Sequence, residues 1–250
     1  MKNNEEIFPK YENYKDSHVA FIDILGFGQR VNNINSQESF HEVAKLLYAT
    51  RHTSNEYNNA TGILKDFRFT AISDSIIVSA PYTDPICTVG LIHVLHEIQY
   101  ELLVSGFKTM VRGYLDRGHI HNKDGFLFGK GYINAYLGER QIGGAPRIVI
   151  SPDIIIDAEE AIGGRKSKEG KVTIFDFIKE DPADGYCFID FLKPVGFLSN
   201  KNHDELMQDR REINRIITSS LVGYKTEQRV RAKYKWLEAY FYETERYFAK

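Results

Sequence analysis

The sequence predicts an α+β fold, a ferredoxin-like βαββαβ domain followed by C-terminal helices. Apolar runs typical of strands alternate with helical periodicities in the order β–α–β–β–α–β, and long amphipathic helices begin near Asn200. A chain of 250 residues is long enough for one large domain with an appendage. We therefore expect an N-terminal extension at 1–17, the main domain at 18–200 and a helical appendage at 201–250.

The predicted elements follow one another from the first strand, the apolar run VAFIDIL at 19–25. Ser36 is placed to cap the next helix, in which Phe40, Val43 and Leu46 recur at helical spacing. FRFTAISDSIIVSAP predicts two strands around the tight turn ISDS, and PICTVGLIHVLHEIQYELLVSG predicts a second helix ending at Gly106. FKTMVRGYLDRGHIHN and RIVISPDIII predict the fourth and fifth strands.

The composition indicates a soluble intracellular protein. Apolar residues make up 42% of the chain, and the formal net charge of −2 gives no general attraction to nucleic acid or anionic membranes. Cys87 and Cys187 lack the spacing of metal ligands, which favours a reducing compartment. The sequence has no apolar signal core near its start and no run of about 20 apolar residues. We expect a cytoplasmic location and no binding to nucleic acid or membranes.

Two carboxylates stand among apolar residues: Asp23 in the first strand and Asp74 in the ISDS turn. In a βαββαβ sheet the first and third strands are neighbours, so the end of strand one lies beside this turn. Carboxylates brought together there favour a divalent cation, and hard oxygen ligands suit Mg²⁺ or Mn²⁺. Two simpler interpretations stay open: Asp23 bonded to backbone amides of the following turn, and Asp74 as an ordinary turn residue.

A glycine-spaced turn follows the first strand at Gly26 and Gly28. Glycine lets backbone amides approach phosphate oxygens closely, although this spacing lacks the dinucleotide-binding pattern. Beside a metal site, the turn favours a bound triphosphate.

Several segments resemble a known family. FIDILGF is similar to the first metal-binding strand of class III nucleotide cyclases, ISDSIIV resembles their hairpin with the second metal aspartate, and RGYLDRG has the spacing of their Arg-x₅-Gly strand. FLFGKGYINAYLGERQIGGAPRIVI and RAKYKWLEAY resemble the pyrimidine nucleotide cyclases of the Pycsar antiphage systems. The resemblance extends from Val19 to Tyr240.

The resemblance implies a class III cyclase domain that acts on a ribonucleoside triphosphate by two-metal phosphoryl transfer. It implies two Mn²⁺ or Mg²⁺ ions per site, held by Asp23, Asp74 and the carbonyl of Ile24, and homodimers with composite active sites. Arg112 is expected to contact phosphate or ribose, with an outward surface arginine as the alternative. The expected substrate-binding residues are Phe21, Gly26, Phe27, Gly28 and Thr70.

The chain departs from the purine cyclases at three places. Thr70, four residues before Asp74, replaces their base-selecting lysine or glutamate, and Tyr114 replaces a usual glycine. Their Asn-x₃-Arg pair is missing, because Asn134 is out of register and Gly138 follows it at the arginine spacing. Arg140 and Arg147 are the two arginines considered as replacements.

The expected function is conversion of UTP to 3′,5′-cyclic UMP and diphosphate, as a second messenger of antiphage defence read by a separate effector. Thr70 disfavours purines without separating uracil from cytosine, so cyclic CMP synthesis and a purine cyclase are the alternatives within the enzyme class. A diguanylate cyclase would need a Gly-Gly-Asp/Glu-Glu-Phe hairpin, which AISDS does not supply. The alternative from another class is a degenerate domain that binds nucleotide or dimerises without catalysis.

Overall fold

The computed structural model describes residues 11–163, 166–167, 170–171, 176–194 and 201–248. Residues 1–10 of the predicted N-terminal extension, and 195–200 at the predicted boundary with the appendage, lie outside the described residues. The strands are β1 Lys15–Ile24, β2 Arg68–Ile72, β3 Ser75–Pro81, β4 Val111–Lys123, β5 Phe126–Phe128, β6 Ile148–Ile150, β7 Lys166–Ser167, β8 Gly170–Lys171, β9 Ile178–Glu180 and β10 Cys187–Ile189. The helices are α1 Phe27–Asn32, α2 Gln37–Thr61, α3 Ile86–Val104, α4 Lys130–Gln141, α5 Pro152–Ile162, α6 His203–Gly223 and α7 Gln228–Glu243.

Strand β1 lies at the centre of the main sheet, whose order is β2-β3-β1-β4-β6-β10-β9, with β5 paired to β4. It runs antiparallel to both β3 and β4, and β4 runs parallel to β6. The first and third strands are therefore neighbours, as predicted. The topology confirms the α+β fold and the βαββαβ order of its first six predicted elements.

The side chains of β1 alternate between two covered faces of the sheet. Ala20 and Ile22 belong to the main core, which β1 shares with α2 and α3. Val19 and Phe21 point to the opposite face and pack under α4. Burial on both faces explains why the run is continuously apolar up to Asp23.

The two long helices of the main layer form where their sequence patterns predict them. Ser36 caps α2: its Oγ accepts the Ser39 N–H at 3.2 Å, and Ser39 Oγ accepts the Ser36 N–H at 3.0 Å. Helix α3 ends at Val104, just before the predicted Gly106, and is buried on nearly all sides because it packs among α2, α5 and α6. Within the described ranges, no helix combines the length and apolar character needed to cross a membrane.

The segment RIVISPDIII is not one strand, as predicted, but a short strand followed by a helix. Strand β6 ends at Ile150, and the Ser151 side chain accepts the Ile154 N–H at the start of α5. Pro152 occupies the first helical position, where a missing N–H costs nothing. The prediction was wrong because an apolar run alone does not distinguish these two structures.

Helix α4 has no strong signal in the sequence. Its buried residues Gly131, Ala135 and Glu139 recur every four residues and face the sheet. The contact with β4 is close, since a Cβ on Gly131 would lie 2.7 Å from the Gly118 carbonyl oxygen. Glycine lowers helix propensity but permits this approach, so the packing of α4 compensates for its weak local preference.

The C-terminal helices pack onto the main domain. Asn202 caps α6 by accepting the Glu205 N–H at 3.0 Å. Apolar residues of α6 and α7 enter the same buried cluster as β1 and α3: Ile213, Ile217, Leu237, Tyr240 and Phe241. Trp236 Nε1 donates to Asp181 Oδ2 at 2.7 Å, which fixes α7 beside the far strands of the sheet.

Candidate active site

The turn of the β2–β3 hairpin lies against the end of β1. The hairpin turns through Ser73 and Asp74, and Ser73 adopts a left-handed backbone with φ of 57°. Asp23 lies opposite Ser75, and the Ile24 N–H donates to the Asp74 carbonyl oxygen at 2.8 Å. The two predicted aspartates therefore meet at one end of the sheet.

Arg112 of β4 lies directly opposite Asp23 in the β1–β4 register. Its Nε donates to Asp23 Oδ2 at 3.0 Å and also lies 2.6 Å from Oε1 of Glu139 on α4. The second contact has the distance of an ion pair without hydrogen-bond geometry, and Glu139 Oε1 is buried with no hydrogen bond. The Arg112 guanidinium is thus close to the carboxylates of both Asp23 and Glu139.

The carboxylates at this end of the sheet disfavour one another's ionised forms. Burial raises the pKa of Asp23 above its ordinary value; Arg112 opposes the rise, and the Asp74 carboxylate adds to it. Burial likewise raises the pKa of Glu139, again with Arg112 opposing and Asp23 adding. A further cation near these carboxylates would favour their ionised forms.

The donor atoms at this end fit a hard divalent cation. Asp23 keeps 19% of its side chain exposed, so its carboxylate is accessible. Across the part of the chain that the structure describes, no group of three His, Cys, Asp or Glu side chains could hold a metal ion. An ion at this site would therefore depend on Asp23, Asp74 and backbone carbonyl oxygen, as the sequence predicts; carboxylate and carbonyl oxygens are ligands that Mg²⁺ and Mn²⁺ accept.

Glu139 is the site residue that the sequence analysis did not single out. It extends the buried stripe of Gly131 and Ala135 on α4, so a carboxylate stands where the four-residue spacing expects a small or apolar residue. Recognising α4 as a helix would have revealed this acid, because its spacing places Glu139 on the sheet-facing side.

Tyr114 and Gly138, two residues at which the chain departs from the purine-cyclase pattern, pack against each other. The Tyr114 ring packs on α4 at Gly138, where an added Cβ would overlap the ring atoms. Gly113 also has no space for a side chain, since its Cβ would lie 2.6 Å from the Phe21 carbonyl oxygen. The bulky residue in the strand thus requires the small residue in the helix.

Phe21 shares a sheet face with Asp23 but lies under α4. Its ring is 6% exposed and packs edge-to-face against Tyr136, with centroids 5.3 Å apart, and more loosely against Tyr132 at 6.2 Å. In this arrangement the ring is part of the packing that positions α4. Its contact with a nucleoside stays a prediction.

Thr70 lies on the same sheet face, further along the hairpin. Its Oγ1 donates to Asn122 Oδ1 at 3.3 Å, and Asn122 Nδ2 donates to Ser79 Oγ at 3.2 Å. The structure therefore joins Thr70 to a neutral polar row on the sheet rather than to the carboxylates. Its predicted role in base selection stays a prediction.

The three substrate-binding residues predicted in the turn after β1 differ in backbone conformation and in surroundings. Gly26 has a φ of 79°, in the left-handed region that favours glycine. Phe27 is 4% exposed and packs in the main core. Gly28 lies within α1, and an added Cβ would meet no atom within 4 Å. The backbone therefore requires glycine at Gly26, and the Phe27 side chain points into the core.

The two arginines considered as replacements for the missing pair differ in their surroundings. Arg147 is fully buried and forms ion pairs with Asp181 and Asp184, so its charge is already used in the fold. Arg140 donates to the Tyr136 hydroxyl at 2.9 Å on the surface of α4. Arg112 remains the arginine in contact with Asp23.

Comparisons with known proteins give structural matches alone. No family model matches the chain, and no curated protein matches it. The adenylyl cyclase CyaB from P. aeruginosa is 15% identical over 70% of this chain and 92% of that one, with a TM-score of 0.47. The catalytic core of a rhodopsin-guanylyl cyclase with converted specificity, in complex with ATPαS, is 16% identical over 70% and 95%, with a TM-score of 0.45.

A third match is a bacterial light-regulated adenylyl cyclase, 16% identical over 58% of this chain and 79% of that one, with a TM-score of 0.40. TM-scores of this size describe partial similarity of the backbone structures. They assign no activity to this chain.

Proposed function

We propose that this protein is a nucleotide cyclase that converts UTP to 3′,5′-cyclic UMP and diphosphate. The observation that carries the proposal is the meeting of Asp23 and Asp74 at the end of β1, through the hydrogen bond from Ile24 to Asp74. The resemblance of FIDILGF and ISDSIIV to the metal-binding segments of class III nucleotide cyclases supports the same assignment.

In this reaction the ribose 3′-hydroxyl loses its proton to water and its oxygen bonds to the α-phosphorus. The bond from that phosphorus to the β-bridging oxygen breaks, and diphosphate leaves. Asp23, Asp74 and the Ile24 carbonyl would hold two Mg²⁺ or Mn²⁺ ions, whose chemistry is to acidify the hydroxyl and neutralise phosphate charge. Arg112 holds a positive charge 3.0 Å from Asp23, where it favours the negative charge of the reacting phosphoryl group.

The preference for a pyrimidine rests on the resemblance to the Pycsar cyclases and on the neutral row of Thr70, Asn122 and Ser79. This row offers hydroxyl and amide groups in place of a charged base-selecting side chain. Uracil is the base that we propose, with cytosine as the alternative. By the same resemblance, we propose that the product is an antiphage second messenger read by a separate effector.

A homodimer with composite sites is the proposed assembly. Large apolar side chains are exposed on β5, which pairs with β4 at the end away from Asp23, and on α4, which runs toward Glu139: Phe126 at 67%, Phe128 at 51%, Ile133 at 53% and Leu137 at 46%. An apolar surface of this kind favours a second protein chain, and the resemblance implies a second copy of this one.

A non-catalytic nucleotide-binding module is the second candidate. The ion pair between Arg112 and Asp23 supports it, because an arginine can supply the positive charge that a metal ion would bring. The missing Asn-x₃-Arg pair points the same way.

Incubating the purified protein separately with UTP, CTP, ATP and GTP, with Mn²⁺ or Mg²⁺, tests the proposal. We expect cyclic UMP as the main product by mass spectrometry. Asp23→Asn and Asp74→Asn should each lower its rate by about a hundredfold or more, because each removes a charge that stabilises the reacting phosphates. Asp124→Asn is the matched control, since Asp124 is exposed in the β4–β5 turn and Asn tolerates its φ of 55°.

Each product separates one alternative from the rest. Cyclic CMP as the main product would replace uracil by cytosine, and cyclic AMP or GMP would indicate a purine cyclase. A folded dimer that makes no cyclic product from any of the four nucleotides would overturn the enzyme assignment. Full activity of Asp23→Asn would contradict the metal assignment.

A further inference from the structure

A cleft of about 290 Å³ opens between the turn after β1 and the C-terminal helix α7. Gly26 and Leu25 line one side, next to Asp23 in sequence, and α7 forms the other. The described residues around it are Leu25, Gly26, Gln29, Arg30, Asn33, Lys108, Thr109, Met110, Tyr224, Val230, Lys233 and Tyr234. The cleft thus adjoins the candidate active site and includes part of the helical appendage.

The charges that line this cleft have one sign. It contains Arg30, Lys108 and Lys233 and no carboxylate among the described lining residues. A concave surface with cations and without acids favours an anionic ligand. The neutral polar residues Gln29 and Asn33 add hydrogen-bonding groups at its edge.

Two of the three cations are already used by the fold. Arg30 Nη2 donates to the Phe107 carbonyl oxygen at 2.7 Å and to Thr109 Oγ1 at 2.8 Å. Lys108 Nζ lies 3.2 Å from Glu212 Oε1 of α6. These contacts hold the wall of the cleft in place.

Lys233 differs from both. It is half-buried and forms no hydrogen bond or ion pair with any other residue in the described part of the chain. Burial lowers its pKa, nearby Arg112 lowers it further, and Asp23 opposes these effects, so Lys233 lies within electrostatic range of both site residues. A partly desolvated ammonium group without a bonded partner is stabilised when an anion enters.

We propose that Lys233 is a substrate-positioning residue whose ammonium group contacts the β- and γ-phosphates of the nucleoside triphosphate in this cleft. The proposal rests on the proposed function, since it takes the reacting α-phosphate to lie at Asp23 and Asp74. The cleft begins at Leu25, two residues after Asp23, and extends along the turn at Gly26 to α7, so the phosphate chain has a route to Lys233. The helical appendage then contributes a phosphate contact from the same subunit as Asp23, within the composite site of the proposed homodimer.

Binding of inorganic tripolyphosphate, measured by titration calorimetry without divalent metal, tests Lys233 without turnover. Lys233→Met keeps the aliphatic stem and a strong helix former, and should weaken binding by about tenfold, as expected for one charge-assisted hydrogen bond. Lys233→Arg should retain most of the binding. Lys235→Met is the matched control, because Lys235 is exposed on the same helix and does not line the cleft.

Steady-state kinetics with UTP supply the second readout. Lys233→Met should raise KM by about tenfold, with a smaller change in kcat, whereas Lys235→Met should leave both unchanged. If Lys233→Met fails to fold by circular dichroism, Lys233→Gln replaces it in both measurements.

The two proposals fail in different ways. Equal tripolyphosphate affinity and equal KM for the Lys233 and Lys235 variants, in a protein that makes cyclic nucleotide, would overturn the role of Lys233 alone. A wild-type protein that makes no cyclic product but binds tripolyphosphate through Lys233 would overturn the cyclase function and keep the polyphosphate contact.

Discussion

The two ends of β1 carry buried charges that are organised in opposite ways. At its start, Arg117 donates to Asp16 Oδ2 at 2.7 Å and to both oxygens of Asp157 at 2.9 and 3.0 Å, and its guanidinium stacks 3.5 Å from the centre of the Tyr82 ring. His18 is fully buried, with Nε2 3.1 Å from Thr88 Oγ1 and 3.4 Å from Asp157. Each charge at this end has a bonded partner.

At the other end, Arg112 is shared between Asp23 and Glu139, and Asp74 lies beside them. The pKa directions express the difference. Burial alone would raise the pKa of Asp157, but its hydrogen bonds with His18 and Arg117 bring the value below the ordinary one. At the site, burial and neighbouring carboxylates outweigh Arg112, and the pKa of Asp23 is raised.

The charges at the start of β1 form a structural network, and those at its end form the proposed ligand site. A fully bonded network gains nothing from a ligand, because each polar atom already has its partner. An acid-rich site with one shared arginine is relieved by a cation. The same strand therefore carries a bonded structural network at its start and the proposed ligand site at its end.

The largest expected effect is on stability at the structural end. Arg117→Met should lower the free energy of unfolding by about 3 kcal/mol, because it leaves Asp16 and Asp157 without their shared partner. Arg112→Met at the other end should cost about 1 kcal/mol, because Arg112 donates one hydrogen bond to its acids, whereas Arg117 donates four. Urea unfolding of both variants in metal-free buffer measures the difference; equal losses would contradict the comparison.

An intermediate effect is expected from divalent metal. Mn²⁺ at about a hundred times its dissociation constant should stabilise the wild-type protein by about 2.7 kcal/mol if the site binds it. Asp23→Asn should abolish most of this gain, and Asp16→Asn, at the structural end, should keep it. Thermal unfolding with and without Mn²⁺ checks the result, and an equal gain in both variants would place the metal elsewhere.

The smallest expected effect is on the pH dependence of stability. The raised pKa of Asp23 means that the folded state binds its proton more tightly; this contribution is present below the ordinary value of 3.8 and is lost as the pH rises through the folded pKa. The lowered pKa of Asp157 contributes stability above 3.8, which is lost as the pH falls through its folded pKa.

Asp23→Asn should therefore be more stable than wild type at neutral pH, and Asp157→Asn less stable, with both differences shrinking in acid. Unfolding by urea at a series of pH values, with chelator present, measures both curves. A stabilising Asp157→Asn or a destabilising Asp23→Asn at neutral pH would contradict the assigned directions.

Local sequence patterns predicted much of the fold and placed two acids of the candidate site. The run at β1, the ISDS hairpin and the Ser36 cap are local signals, and the structure confirms each. The adjacency of Asp23 and Asp74 followed from topology, because the first and third strands of a βαββαβ sheet are neighbours. The strand predicted through Pro152 was wrong because it depended on an apolar run alone.

The remaining residues of the site depend on contacts between distant segments. Arg112, which the family resemblance had singled out, meets Asp23 through the register of two antiparallel strands. Glu139 lies on a helix of weak propensity, and the proposed phosphate contact Lys233 lies on the appendage. The hydrophobic periodicity of a single segment does not predict these long-range contacts.

By itself, the sequence determined the strand that contains Asp23 near its end, the turn that carries Asp74 and the glycine that lets the chain turn between β1 and α1. Only the tertiary structure decided which cations face those acids, and that Arg117 donates hydrogen bonds to both of its acids while Arg112 donates one to Asp23 alone. The physical reason is range: propensity, capping and hydrophobic period act over a few residues, whereas pairing of buried charges depends on how the packed elements lie against one another.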